Sequence, residues 1–300
     1  MTESFELLIG VQVGDEVLKE VVPLPANGVA ERVVFSKTQE KIYTWMGRVI
    51  TVLTKEIEGV PIGEKARENY AKTRSIAIPD IVKQFTLGDV MTAMIRLHAS
   101  CWEDTFEEVP YKCVSCGHEA TATIHLDRFS VADKFKDEVL SGAATEKYSN
   151  YTVVLNTPFE FVSPQNKNGE FMYPDIHGLP VFKLNFRAPV LGDAIKHEKL
   201  HNKSPENIDF WMAMAKECLV SAEVAMDENA SATEVIEKTD IRSIYGDRLF
   251  QDILARKDLA NIRKTLRDEM PFVEYFHDIE CHDCGSETPL FLEPDNFFSE

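Results

Sequence analysis

No apolar run in this sequence approaches the roughly 20 residues that a membrane-spanning helix needs. The longest, such as the stretch around Val49 to Leu53, stop after a few residues. The opening Met1-Thr2-Glu3-Ser4-Phe5-Glu6 has neither the basic start nor the apolar middle of a secretory signal, so a soluble protein of a reducing cytosol is expected. Positive charge is scarce too: 32 Lys and Arg stand against 50 Asp and Glu, a net charge of −18. Phosphate backbones and anionic membranes are bound by clusters of Lys and Arg, so this balance argues against both and in favour of protein partners. No Gly-rich phosphate loop, G-x-S-x-G elbow or kinase-type set is present. Cysteine is too sparse for a disulfide scaffold, and four of the six fall in two Cys-x-x-Cys pairs, which points to metal.

The remaining composition, 44% hydrophobic and 27% charged, is that of a globular chain long enough for one large domain or two modest ones. Phe5, Leu7, Ile9, Val11 and Val13 recur at every second position, the period of a half-buried strand. Val17–Val22 and Glu31–Phe35 read as further strands around the loop Pro23-Leu24-Pro25-Ala26-Asn27-Gly28. Ser36 with Gln39 reads as a capping box for a helix carrying Ile42, Trp45, Met46, Val49, Ile50, Leu53 and Ile57, and Thr86 with Asp89 opens a second helix. After a polar stretch at 137–150 come strand candidates at Tyr151–Leu155 and Val181–Phe186. Helices are then expected from Ser204-Pro205 to about Met226 and from about Asp247 through Leu266. The fold class expected is α+β, with a first αβ half at 1–136, a linker at 137–150 and a second αβ half at 151–300. Asp80-Ile81 with Gly88-Asp89 parallels Asp240-Ile241 with Gly246-Asp247, which leaves two readings open, an imperfect internal duplication or a shared αβ logic without one.

Each half closes on a knuckle, Cys113-Val114-Ser115-Cys116-Gly117 and Cys281-His282-Asp283-Cys284-Gly285. Two residues between cysteines let both thiolates turn onto one ion, and the trailing glycine permits the positive φ that completes the turn. Strand-like sequence flanks both, so the pairs are expected on β hairpins that face one another in a zinc ribbon. Cys113, Cys116, Cys281 and Cys284 would then bind one structural Zn2+ per chain. The pairs are separated by 164 residues instead of the usual roughly 15 to 20. Loop-closure entropy grows only logarithmically, so this excursion costs about 1 to 2 kcal/mol more than a short one, and the zinc acts as a clasp. The alternative is two separate sites completed by His118, His125, His277 or His282. Cys101 and Cys218 fall on apolar helix faces and read as core.

His197-Glu198-Lys199-Leu200-His201 fits the H-E-x-x-H pattern of zinc metalloproteases, with Glu217 or Glu223 as a third ligand. Lys196, Lys199 and Lys203 crowd positive charge around it and Ser204-Pro205 ends the segment, so a solvated helix face is the favoured reading and a metallohydrolase the alternative.

With its N-terminal β segment and loop Leu24-Pro25-Ala26-Asn27-Gly28, the knuckle after Phe106-Glu107-Glu108-Val109-Pro110-Tyr111-Lys112, and the second knuckle before an aromatic end Asn296-Phe297-Phe298, the chain resembles the T-even-type phage baseplate protein family. Members of that family include a baseplate hub assembly factor. The resemblance implies a non-enzymatic protein that helps build a contractile-tail baseplate, as hub assembly chaperone or hub component. Its partners would be other phage tail and baseplate proteins, and its place the host cytoplasm during assembly or the virion tail baseplate.

Overall fold

The computed structural model describes all residues except 1–2, 37–40, 103, 127–128, 202–207, 227–232, 275 and 292–300. Along the chain come β1 (Phe5–Val13), β2 (Glu16–Pro23), α1 (Gly28–Val34), α2 (Ile42–Leu53), β3 (Thr54–Ile57), β4 (Val60–Pro61), α3 (Gly63–Thr73), α4 (Asp80–Lys83) and α5 (Leu87–Cys101). Next are β5 (Thr105–Lys112), β6 (Glu119–His125), α6 (Asp133–Leu140), α7 (Ala144–Tyr148), β7 (Asn150–Glu160), β8 (Pro180–Arg187), α8 (Leu191–His201) and α9 (Ile208–Cys218). The chain continues with β9 (Leu219–Ala225), β10 (Thr233–Glu237), α10 (Lys238–Tyr245), α11 (Arg256–Asp268), β11 (Phe276–Glu280) and β12 (Glu287–Phe291). The mixture of helix and sheet is α+β, as expected.

Two compact units are present: Met1–Thr145 with Val190–Lys196 and Pro271–Glu300, and Glu146–Pro189 with His197–Met270, counting described residues. In the first, the antiparallel sheet β1-β2-β3-β4 packs helices α1, α2 and α5 around Val49, Ile50, Leu53, Ile57 and Met94. Two hairpins complete this unit, β5-β6 and β11-β12. The lead into β11 is tied back by backbone hydrogen bonds from Ala132 to Phe272 and from Glu274 to Ser130. The second unit has the antiparallel sheet β10-β9-β8-β7 with α9 and α11 on it, around Phe186, Leu184, Phe210 and Ile262. The first six elements of each sheet-bearing stretch run in the same order: β-hairpin, two helices, β-hairpin.

Both units hold their first strand by one device. The register of β1 with β2 shifts between Glu6 and Val11, and the amides of Leu8, Ile9 and Gly10 in that bulge donate to the carboxylate of Asp89, at 2.6, 3.1 and 3.1 Å. Asp89 is the third residue of α5, where its own amide is capped by the Thr86 hydroxyl. Likewise β7 slips against β8 between Val154 and Phe159, and the amides of Asn156 and Thr157 donate to Asp258, the third residue of α11, at 2.6 and 3.2 Å. A bulge leaves amides without ladder partners, and a buried carboxylate at a helix start takes them up.

Several local expectations are corrected. Glu31–Phe35 is not a strand: Asn27 caps the amides of Val29 and Ala30, and Ala30, Val33 and Val34 form the buried face of helix α1. Strand β1 does not alternate simply, since Leu7 through Val11 are all buried across the bulge and Val13 is exposed. Helix α2 begins at Ile42 with Lys41 in the capping position, while Gln39 lies outside the described residues. The helix expected to reach Met226 ends at Cys218, because Leu219–Ala225 pair with β8 as β9; its expected start, Ser204-Pro205, also lies outside the described residues. The helix expected from Asp247 is a π-helical turn at Leu249–Ile253 and then α11, split at Leu254 and Ala255, which are extended. The stretch 137–150 contains the end of α6 and all of α7.

Candidate metal centre

Each Cys-x-x-Cys sits on the turn of a hairpin, beyond the terminal pairs Lys112–Glu119 and Glu280–Glu287. The two turns close identically. The amide of Cys113 donates to the His118 carbonyl and that of Gly117 to the Cys113 carbonyl, as Cys281 does to Ser286 and Gly285 to Cys281. Gly117 and Gly285 have φ of 75° and 68°, the left-handed conformation that the spacing predicts, and no atom crowds the place a Cβ would take. The first cysteine of each knuckle is buried and the second exposed.

All four sulfurs lie within 4.8 Å of one another, with Cys113–Cys284 at 3.6 Å and Cys116–Cys281 at 3.7 Å. These separations are far beyond a disulfide bond of about 2.05 Å. Four thiolates arranged tetrahedrally on an ion at about 2.3 Å stand about 3.8 Å apart, so the cluster has the dimensions such an ion requires. Its electrostatics agree. Amides of Cys116 and Ser115, with the Thr288 hydroxyl, donate to the Cys113 sulfur and bring its pKa down to about 6. Cys284 is lowered by the hydroxyl and amide of Ser286. Cys116 accepts from the His118 amide but faces the sulfurs of Cys284, Cys113 and Cys281, and is pushed up to about 12. The cluster thus stabilises its first thiolates and resists its last. A divalent cation removes that resistance, since the ion's charge favours every thiolate at once. The donor set fits a metal ion, and Cys113, Cys116, Cys281 and Cys284 could hold it.

Three surrounding groups tie the knuckles together in ways the spacing does not specify. Thr288, buried on β12, accepts from the Val114 amide at 3.3 Å and so spans the two knuckles. His118 Nδ1 lies 2.9 Å from Asp283 Oδ2, a second bridge between them. Among the described residues the metal-ligand cluster consists of the four sulfurs, without His118, His125 or His282; the His277 side chain lies outside the described residues.

The H-E-x-x-H segment lies at the end of α8. Glu198 is buried, not solvated, and His197 is half-buried, with Nε2 3.4 Å from Glu217 Oε1 on α9. His201 stands edge-on to Phe210 at 5.1 Å. Among the described residues His197, His201, Glu217 and Glu223 do not gather as a group of three possible ligands, and Glu223 instead pairs with Lys183 at 3.1 Å. Cys218 is buried as expected, whereas Cys101 is half-buried. No helix among the described residues is long and apolar enough to cross a membrane.

A family model described as T4 bacteriophage base plate protein matches residues 65–299, more than three quarters of the chain and a span that includes both knuckles. No curated protein and no solved structure shows a significant match.

Proposed function

Because the chain belongs to the T4 bacteriophage base plate protein family, we propose that it is a non-enzymatic protein acting in the baseplate hub, as assembly chaperone or hub component, through contacts with other tail and baseplate proteins. The family match carries this reading. The acidic composition agrees with it, since a net charge of −18 suits protein partners better than nucleic acid. The site of action is the host cytoplasm during assembly or the tail baseplate itself.

Within this reading Cys113, Cys116, Cys281 and Cys284 bind one structural zinc as a ribbon built from two hairpins. When bound, the ion would offset the mutual repulsion of the four thiolates and contribute binding energy to folding. The chain's own residues do the remainder: the knuckle amides and Thr288 orient the sulfurs, and His118 with Asp283 ties one turn to the other. The ion then closes the excursion between Cys116 and Cys281, a clasp that adds to the backbone bonds of Phe272 and Glu274. The two halves descend from an internal duplication. The common element order supports this, as does the pairing of Asp89 with Asp258, each gripping a bulged first strand and each preceding its knuckle by nearly the same number of residues. The counterpart of Asp89 is accordingly Asp258 instead of Asp247, which is exposed and paired with Lys216.

The test is genetic. Phage with this gene disrupted should accumulate heads and lack baseplates in electron micrographs, and tagged protein should co-purify with named tail proteins from infected cells. Normal baseplates in the disrupted phage would overturn the reading.

A further inference from the structure

Helix α11 concentrates positive charge in a strongly acidic chain. Its 13 residues hold Arg256, Lys257, Arg263, Lys264 and Arg267 against two aspartates, of which Asp258 is buried and committed to the amides of β7. Arg267 is paired with Asp268, but Arg256, Lys257 and Lys264 are exposed and form no ion pair or side-chain hydrogen bond among the described residues. Lys264 lies two turns along the helix from the adjacent pair Arg256 and Lys257, and the three fall within an arc of about 100°. The placement works against the helix: Arg256 and Lys257 occupy its first two positions, at the positive end of the dipole, and Arg263 and Arg267 are like charges four residues apart. Arg263 rests its guanidinium 3.9 Å from the Met212 sulfur on α9, so the basic row borders half-buried Met212. An exposed basic helix face without an ion pair among the described residues, in a chain of net charge −18, is complementary to an acidic partner.

We propose that the exposed face of α11 docks an acidic segment of a partner protein. The inference rests on charge placement in the second unit and stands independently of the baseplate reading. Charge complementarity selects the occupant. At physiological salt, charge is felt over about 8 Å, so a short acidic segment lying on the row meets attraction while the rest of the acidic chain repels other approaches. A long nucleic acid or a second acidic copy would bring distant negative charge against that repulsion. The helix is about 20 Å long, which an extended segment of roughly six residues covers.

The experiment uses the full chain and a fluorescein-labelled hexaglutamate peptide at low salt. The variant Arg256→Glu/Lys257→Glu/Lys264→Glu should weaken peptide binding at least tenfold, and Arg256→Gln/Lys257→Gln/Lys264→Gln should weaken it less. Both should keep the wild-type circular dichroism and melt at the same temperature or higher, because Arg256 and Lys257 oppose the dipole and Lys264 lies beyond the first turn and before the last. The proposal is overturned by absence of peptide binding to wild type, by binding that survives both variants, or by variants that melt lower as they lose binding. Tighter variant-sensitive binding of a single-stranded oligonucleotide would also overturn it, as would wild-type self-association that the variants abolish.

Discussion

Asp89 offers the sharpest test of how the first unit is held together. In Asp89→Ala the amides of Leu8, Ile9 and Gly10 lose their acceptor, and Thr86 loses a partner 2.9 Å away. Each unsatisfied buried amide costs about 1 to 3 kcal/mol, and some water will reach the emptied space, so a loss of about 4 kcal/mol is expected. That is a large share of the roughly 5 to 15 kcal/mol by which domains are stable. The carboxyl also titrates unusually. Full burial pushes its pKa from 3.8 up to about 6, against the four hydrogen bonds that favour the anion. A carboxyl whose folded pKa is raised is most favourable below its unfolded value, and this contribution is lost as pH rises through about 4 to 6. The loss is on the order of 3 kcal/mol. Urea unfolding of wild type and Asp89→Asn across this range should therefore show the wild-type advantage shrinking by that amount. Hydrogen exchange of the peptide covering Phe5–Val13 should accelerate in Asp89→Ala before that of α2. An unfolding midpoint within error of wild type for Asp89→Ala, or a wild-type advantage over Asp89→Asn that widens with pH, would contradict this role for the carboxylate.

The second clamp should behave likewise: Asp258→Ala is expected to cost about 2 to 4 kcal/mol by urea unfolding, with faster exchange at Asn156 and Thr157. Thr288→Val removes the hydroxyl that bonds Cys113 and accepts from Val114, and should lower metal affinity about 10- to 100-fold in chelator competition while leaving secondary structure unchanged. Gly117→Ala and Gly285→Ala meet no clash, the added Cβ at 285 making only an ordinary 3.8 Å contact with Glu280, but force an alanine to positive φ, costing about 1 to 2 kcal/mol each in thermal unfolding. His197→Ala should shift stability by less than about 1 kcal/mol and leave metal content unchanged, because it removes only a half-buried contact with Glu217.

The knuckles were readable because their chemistry is local: two residues between thiols and a glycine after them specify the turn wherever it occurs. What the spacing left open was which sulfurs share an ion, and only the approach of the two hairpins brings all four together. Thr86 and Asp89 were equally readable as a helix start, but the main work of Asp89 is to grip a strand some 80 residues earlier, which no local pattern encodes. The misread segments fail for the same reason. Asn27 looked like a loop residue until its amide partners were placed, and Leu219–Ala225 became a strand because β8 offers a free ladder beside it. The break at Leu254 and Ala255 carries neither glycine nor proline, so the apolar periodicity runs through it unmarked.

Metal analysis of the purified full chain, prepared without chelators, shows directly whether the two knuckles share one ion. One equivalent of zinc per chain is expected, lost completely in Cys113→Ser and equally in Cys281→Ser, because knuckles 164 residues apart would share one ion. A metal-free protein whose four clustered cysteines are oxidised to disulfides would contradict it, as would two equivalents of which one survives Cys281→Ser.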